Sequence, residues 1–182
     1  MQRYTRVAIG LHWMIALTIF GTFALGVYMH ELPLSPTKLK LYSYHKWIGV
    51  TIFALVLFRL LWRLGHRPPS PPPSMPAWQQ RAAAVTHVVL YALTLAIPIS
   101  GWLMSSASGF QVVYLGILPI PDLLAKDKVL ADQLKDAHEF LNISMLALVV
   151  LHSAAALKHH LLDRDDVLAR MFPLVKPRSK NA

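Results

Sequence analysis

The sequence contains no cysteine, and its acidic residues are half as numerous as its basic ones, nine against eighteen. The absence of cysteine excludes disulfides, iron–sulfur clusters, thiolate metal sites and the Cys-x-x-Cys-His attachment of a c-type haem. Any haem in this chain would therefore be bound without a covalent link. No serine lies in a nucleophile-elbow context, so a hydrolytic triad is excluded as well and no catalytic residue is assigned.

The basic residues give a net charge of +9, but they lie between and beyond apolar runs and do not form a stripe interleaved with aromatic residues. This distribution favours a membrane surface over nucleic acid as the partner. Hydrophobic residues make up 55% of the 182 positions, and the mean hydropathy is +0.44. Both values exceed those of ordinary soluble domains and indicate a single-domain membrane protein in contact with a lipid bilayer.

Four apolar segments are long enough to cross a bilayer, which takes about 20 residues. They are 7–28, 42–64, 82–104 and 137–160. The first lacks the short apolar core and the cleavage site of a signal peptide, so we expect it to be retained. The pattern predicts an all-α fold, an integral membrane four-helix bundle in which residues 1–182 form one transmembrane domain.

The connections differ in character. Residues 67–76, written RPPSPPPSMP, predict an extended proline-rich linker on the cytoplasmic side. Residues 105–135 form the longest connection, and their apolar part, 110–120, is expected at the membrane interface. Residues 163–182 predict a basic cytoplasmic tail. Arg59, near the end of the second span, is expected to extend toward the interface.

Lysine and arginine near the span ends set the predicted orientation. One side of the membrane holds twelve of these residues and the other holds six. Because cytoplasmic loops carry the excess of positive charge, both termini are expected in the cytoplasm.

Two histidines in the last span lie fourteen residues apart, His138 and His152. Fourteen residues is close to four helical turns, so the imidazoles share a face and are separated by roughly 21 Å along the axis. The predicted orientation puts His12 at the depth of His152, and His45 at the depth of His138. Ligation of haem iron by two imidazoles needs facing side chains at one depth, which a helix bundle supplies. A single intramembrane histidine can equally be a core residue, a proton relay or an interfacial anchor.

Two further histidines are candidate site residues. His87 lies near the cytoplasmic side of the third span, where it can contact a haem propionate or a quinone, or replace His12 as a ligand; we favour the first role. His159 follows His152 by seven residues on the same face, about 10 Å nearer the cytoplasm. It is a second candidate for a propionate or quinone contact, or an interfacial residue without a special role. A zinc site needs three or four converging ligands, and two separated pairs do not supply them.

Five motifs in chain order resemble those of the bacterial cytochrome b561 family of dihaem membrane proteins. They are LHW (11–13), YHKWIG (44–49), HVVLYALTLAIPISGWLM (87–104), AHEFLN (137–142) and LHSAAALKHH (151–160).

The resemblance implies two b-type haems in a bacterial inner membrane. His12 and His152 would hold the iron on the cytoplasmic side, and His45 and His138 the iron on the outer side. It also implies electron exchange with quinone. One member of this family resembles a superoxide oxidase, which takes electrons from superoxide outside the membrane and reduces ubiquinone. Six lysines on the predicted outer side can steer a small anion toward the outer haem, although four aspartates there weaken the field. The lysines are Lys38, Lys40, Lys46, Lys126, Lys128 and Lys135.

Two alternatives stay open. The same superfamily includes cytochrome b anchor subunits of hydrogenase- or dehydrogenase-type complexes, which bind a peripheral redox partner. A non-redox membrane transporter or scaffold, with histidines that relay protons, is the second alternative.

Overall fold

A computed structural model describes residues 3–175. Four long helices dominate it, and the predicted four-helix membrane architecture is confirmed, since all four are long and apolar enough to cross a membrane. The helices are α1 (Arg6–Glu31), α2 (Pro36–Gly65), α3 (Ala77–Ala107) and α4 (Lys128–Lys158). Shorter elements follow α3 and α4: strands β1 (Val112–Tyr114) and β2 (Leu118–Ile120), a π-helical turn (His159–Asp163) and helix α5 (Val167–Met171).

The helices extend beyond the apolar segments because their starts are set by capping residues outside the hydrophobic stretch. Thr5, Ser35 and Asp127 each accept a hydrogen bond from a backbone N–H in the first turn of α1, α2 and α4. Such caps satisfy amide groups that have no partner inside the helix. The start of α4 at Lys128 therefore lies nine residues before the apolar segment 137–160.

The four helices pack as two antiparallel hairpins, α1 on α2 and α3 on α4, and α2 also contacts α3. Among the described residues, neither α1 nor α2 packs closely along α4. A hydrophobic cluster formed by Ile15, Ile52 and Val56 joins α1 to α2 and receives Tyr91 and Leu95 from α3. The space between the first hairpin and α4 is where the histidine side chains lie.

We call the end of the bundle where α1 and α3 begin the proximal end, and the end where α2 and α4 begin the distal end. At the distal end β1 and β2 form a small antiparallel hairpin. Its turn places Leu115 and Gly116 at positive φ, 54° and 73°, as the tight turns of β-hairpins require. Trp47 donates its indole N–H to the Val113 carbonyl over 2.6 Å, which attaches the hairpin to α2. Residues 110–120, the apolar segment predicted at the interface, therefore contain a β-hairpin that packs on the distal end of the bundle.

The segment after the π-helical turn also returns to the bundle. Trp13 donates its indole N–H to the Met171 carbonyl over 2.9 Å, and its ring lies 5.1 Å from the ring of Phe172. Arg170 donates to the Ser70 carbonyl of the proline-rich linker. The first part of the predicted tail thus covers the proximal end, whereas residues 176–182 lie outside the described residues.

Candidate functional site

Four histidines meet in two pairs inside the bundle. The ring centres of His12 and His152 lie 6.3 Å apart near the proximal end, and those of His45 and His138 lie 6.3 Å apart near the distal end. We call them the proximal pair and the distal pair. Each takes one residue from the first helix hairpin and one from α4, as the depths inferred from the sequence require.

The spacing of both pairs suits one metal ion between two imidazoles. Metal–imidazole bonds are about 2.0–2.1 Å long and the ring centre lies about 1 Å behind the nitrogen, so two imidazoles that both bound one ion would have centres up to about 6 Å apart. Both pairs match this separation. His87 approaches His152 more closely, at 5.5 Å between ring centres, so the proximal region contains three imidazoles.

The Nδ1 atom of His138 faces two oxygens of α3. It lies 3.1 Å from the Ile97 carbonyl and 2.9 Å from the Ser100 hydroxyl, which itself donates to the Ile97 carbonyl over 2.8 Å. A carbonyl can only accept, so Nδ1 carries the proton and donates it. The lone pair of the ring is then on Nε2, the atom available for a metal.

Glycine gives the distal pair its clearance. A Cβ atom at Gly101 would lie 3.2 Å from Cε1 of His138, and one at Gly26 would lie 3.3 Å from Cε1 of His45. Both distances are shorter than ordinary van der Waals contact. The two imidazoles therefore reach their positions because α1 and α3 carry no side chain at these points.

The distal pair adjoins a cavity of about 270 Å³, lined by His45, Lys46, Gly101 and Trp102 and closed on one side by Ile120 of the hairpin. Nδ1 of His45 is buried and forms no well-oriented hydrogen bond among the described residues, although the Thr22 backbone lies beside the ring. Two imidazoles that can ligate a metal, with an apolar space beside them, fit a non-covalently bound haem, which is a flat macrocycle.

Arginine and tyrosine side chains surround the proximal pair. Arg59 places Nη1 3.0 Å from Nδ1 of His12 and donates from Nε to the Tyr91 hydroxyl over 2.9 Å. The prediction that Arg59 extends to the membrane interface is wrong, because a partly buried histidine and a tyrosine hold it inside the bundle. Nearby, burial raises the pKa of the Tyr4 hydroxyl, although Arg63 and Arg59 oppose the shift. Tyr4 therefore stays neutral at physiological pH.

His159 lies in the π-helical turn among acidic groups. Its Nδ1 is 2.7 Å from Asp165 and 3.2 Å from Asp163, and Lys158 forms a 2.6 Å ion pair with Asp163. The structure thus places the second candidate contact residue in a charged network at the proximal end.

The family model described as prokaryotic cytochrome b561 matches residues 3–174. The chain belongs to this family. Cytochrome b561 homolog 2 of Escherichia coli (strain K12) is 37% identical over 172 residues, which cover 94% of this chain and 92% of that protein. Cytochrome b561 homolog 1 of the same strain is 33% identical over 175 residues, 95% and 98% of the two chains. Probable superoxide oxidase CybB of Yersinia pestis is 29% identical over 179 residues, 94% and 97% of the two chains.

Membership of the cytochrome b561 family confirms the resemblance found in the motifs. The protein is a multi-pass membrane cytochrome, an electron-transport protein, and b-type haem is the cofactor that this family implies. The non-redox transporter or scaffold is accordingly disfavoured.

Sequence reasoning named the four paired histidines and His87, but it missed several groups around them. Arg59 was assigned to the membrane interface, and Ser100 and Gly26 were not singled out. The sequence did contain one signal for Ser100, the run Pro-Ile-Ser-Gly at 98–101. A proline followed by a serine and a glycine is unusual in a helix interior and indicates a special local contact.

Proposed function

We propose that this cytochrome b561 protein holds two b-type haems, one ligated by His12 and His152 and the other by His45 and His138. The observation that carries the proposal is the equal 6.3 Å spacing of the two pairs, which leaves room for one iron between two imidazole nitrogens. When bound, such haems supply one-electron oxidation and reduction. The protein fixes their positions and tunes their potentials through the groups next to each imidazole.

The proposed orientation puts the proximal end in the cytoplasm and the distal end outside the bacterial inner membrane. Its support is the excess of lysine and arginine near the proximal helix ends, nine of the described residues against six near the distal ends. Electrons would then cross the membrane between the distal and the proximal pair.

Superoxide is the proposed donor and ubiquinone the proposed acceptor. A relative of almost the same length is named as a probable superoxide oxidase. Lys46 lines the cavity beside His45 and donates to the Phe110 carbonyl over 3.3 Å, which keeps an ammonium group near the entrance to the distal pair. A fixed cation close to a cavity attracts a small anion such as superoxide.

The stoichiometry follows from the electron counts of the two substrates. Each of two superoxide ions gives up one electron and leaves as dioxygen. One ubiquinone takes those two electrons together with two protons and leaves as ubiquinol.

Quinone is proposed to bind at the proximal end. His87 is the third imidazole there, and His159 is held by Asp165 in a geometry that can deliver a proton. A histidine paired with a carboxylate is a common proton donor and acceptor in enzymes.

The function is tested by mixing the purified holoprotein with superoxide and a soluble ubiquinone, and measuring haem reduction, dioxygen release and ubiquinol together. Rapid haem reduction followed by ubiquinol formation is expected. The absence of a low-spin b-type spectrum, or the survival of both haems in a His138→Ala/His152→Ala double variant, would overturn the dihaem proposal. Co-purification with a peripheral redox protein and no reaction with superoxide would favour the anchor-subunit alternative.

A Lys46→Gln variant is expected to be reduced by superoxide about two- to tenfold more slowly at low ionic strength, because the cation beside the cavity no longer attracts the anion. The measurement is the rate of haem reduction in stopped flow as a function of salt. Lys135→Gln is the matched control, since it removes the same charge from the exposed start of α4. Equal slowing of haem reduction in the two variants would show that the rate depends on the net charge of the protein and not on the position of Lys46.

A Gly26→Ala variant is expected to lose part of its distal haem. The new methyl group would lie 3.3 Å from Cε1 of His45, so the imidazole must move by a few tenths of an ångström. A displaced imidazole would bind its metal more weakly, and we expect a loss on the order of the 10–100-fold seen when groups that orient a ligand are changed. Haem content per chain checks this, and Gly21→Ala is the control because a Cβ there meets nothing within 4 Å. Equal haem content in the two variants would contradict the role of Gly26.

A further inference from the structure

The Nδ1 atoms of the ligand histidines have different surroundings at the two ends of the bundle. Nδ1 of His138 donates to oxygens of Ile97 and Ser100. Nδ1 of His12 faces the guanidinium of Arg59, which can only donate. One imidazole is therefore paired with hydrogen-bond acceptors, and the other lies next to a positive charge.

We propose that the Ile97 carbonyl and the Ser100 hydroxyl are positioning groups that fix His138 in its metal-binding tautomer and lower the midpoint potential of the distal haem below that of the proximal one. This inference rests on the proposed dihaem function. It deepens that function by naming the groups that would make electron transfer from the distal to the proximal haem favourable.

The sign follows from the charge of each oxidation state. A ligand imidazole that donates Nδ1–H to a carbonyl becomes more basic. A more basic ligand stabilises the ferric iron, which carries the extra positive charge, and so lowers the potential. A nearby cation disfavours that extra charge and raises the potential. Electrons are therefore driven from the distal to the proximal haem.

Arg59 keeps its effect when His12 binds iron. Coordination through Nε2 puts the proton of His12 on Nδ1, so Arg59 can no longer donate to that atom. Its Nε still donates to the Tyr91 hydroxyl, and its planar group lies 5.6 Å from the centre of the Tyr91 ring. The guanidinium thus remains a positive charge beside the proximal pair.

Ser100 is buried against His138, so its hydroxyl acts directly on the ligand imidazole. Ser100 is 7% exposed, and its hydroxyl contacts the ligand imidazole while also bonding to Ile97 in its own helix. The neighbouring Gly101 allows the imidazole to come this close. Ser100→Ala would remove one of the two acceptors of His138, together with the hydrogen bond that the hydroxyl donates to the Ile97 carbonyl.

The test is a redox titration of the holoprotein, followed by optical and electron paramagnetic resonance spectra, for wild type and four variants. Ser100→Ala is expected to shift the lower-potential transition upward by a factor of roughly three to ten in the ferric–ferrous equilibrium, about 28–59 mV for one electron. Ser100→Thr, which keeps the hydroxyl, is expected to restore the wild-type value. Arg59→Met is expected to shift the other transition downward, and this assigns each transition to one end of the bundle.

Ser106→Ala is the matched control, because Ser106 is a 1% exposed serine of the same helix whose hydroxyl accepts from the Leu123 amide. Its two potentials should equal those of wild type. An unchanged lower potential in Ser100→Ala with both haems retained, or an equal shift of both transitions, would overturn the inference. If wild type lacks two low-spin haems, the proposed function itself fails, so the two failures are distinguishable.

Discussion

A His138→Leu variant is expected to purify with one haem per chain where wild type has two, and to lose its reaction with superoxide. His138 belongs only to the distal pair, so the change removes one of the two ligands at that end. The proximal pair lies further along α4 and keeps His12 and His152 at their 6.3 Å spacing. The remaining haem should therefore stay low-spin and reducible by dithionite.

The measurement is the haem-to-protein ratio by the pyridine haemochrome method, together with the low-temperature α band. His30→Leu is the control, because His30 is an exposed histidine of α1 at the same end and contacts Glu31. Its haem content should equal that of wild type. Retention of both haems in the His138→Leu variant would remove His138 from the ligand set.

A His12→Leu variant is expected to lose the proximal haem, whereas His87→Leu is expected to keep both haems and to react more slowly with ubiquinone. Both imidazoles lie near His152, so the structure offers two ways to form the pair. The 6.3 Å between the ring centres of His12 and His152 would match two imidazoles holding one metal ion at their full reach, while the 5.5 Å between those of His87 and His152 falls short of that reach. His87 remains near enough to donate to a propionate or a quinone.

Haem content separates the two assignments directly, and the quinone reaction is measured by pre-reducing each variant and following its reoxidation. His66→Leu is the control, since His66 is an exposed histidine stacked on Trp62 at the same end of the bundle. Loss of one haem in His87→Leu and its retention in His12→Leu would exchange the roles of the two residues.

The paired histidines could be predicted from the sequence because helix geometry converts residue spacing into depth. Once four spans and their directions are known, His12 must lie at the level of His152, and His45 at the level of His138. No comparable rule fixes which side chain points toward a given imidazole. That depends on how the helices are rotated against one another.

The groups missed by sequence reasoning illustrate this limit. Arg59 has the composition and position of a residue that extends to the interface, but the rotation of α2 turns it toward His12. Ser100 meets His138 only because Gly101 leaves room for the imidazole beside α3. The β-hairpin was also missed, because its turn has Leu115 at positive φ, a conformation that sequence patterns rarely assign to leucine.

The loose approach of α1 and α2 to α4 has a consequence for biogenesis. Each helix hairpin can insert into the bilayer by itself, and lateral association follows as a second stage. Both proposed irons would be held by one histidine from the first hairpin and one from α4, so the haems would join two elements that hardly touch and would reinforce the contact of α2 with α3. Maturation would then depend on haem supply, and chains synthesised without haem would be the ones that quality-control proteases remove.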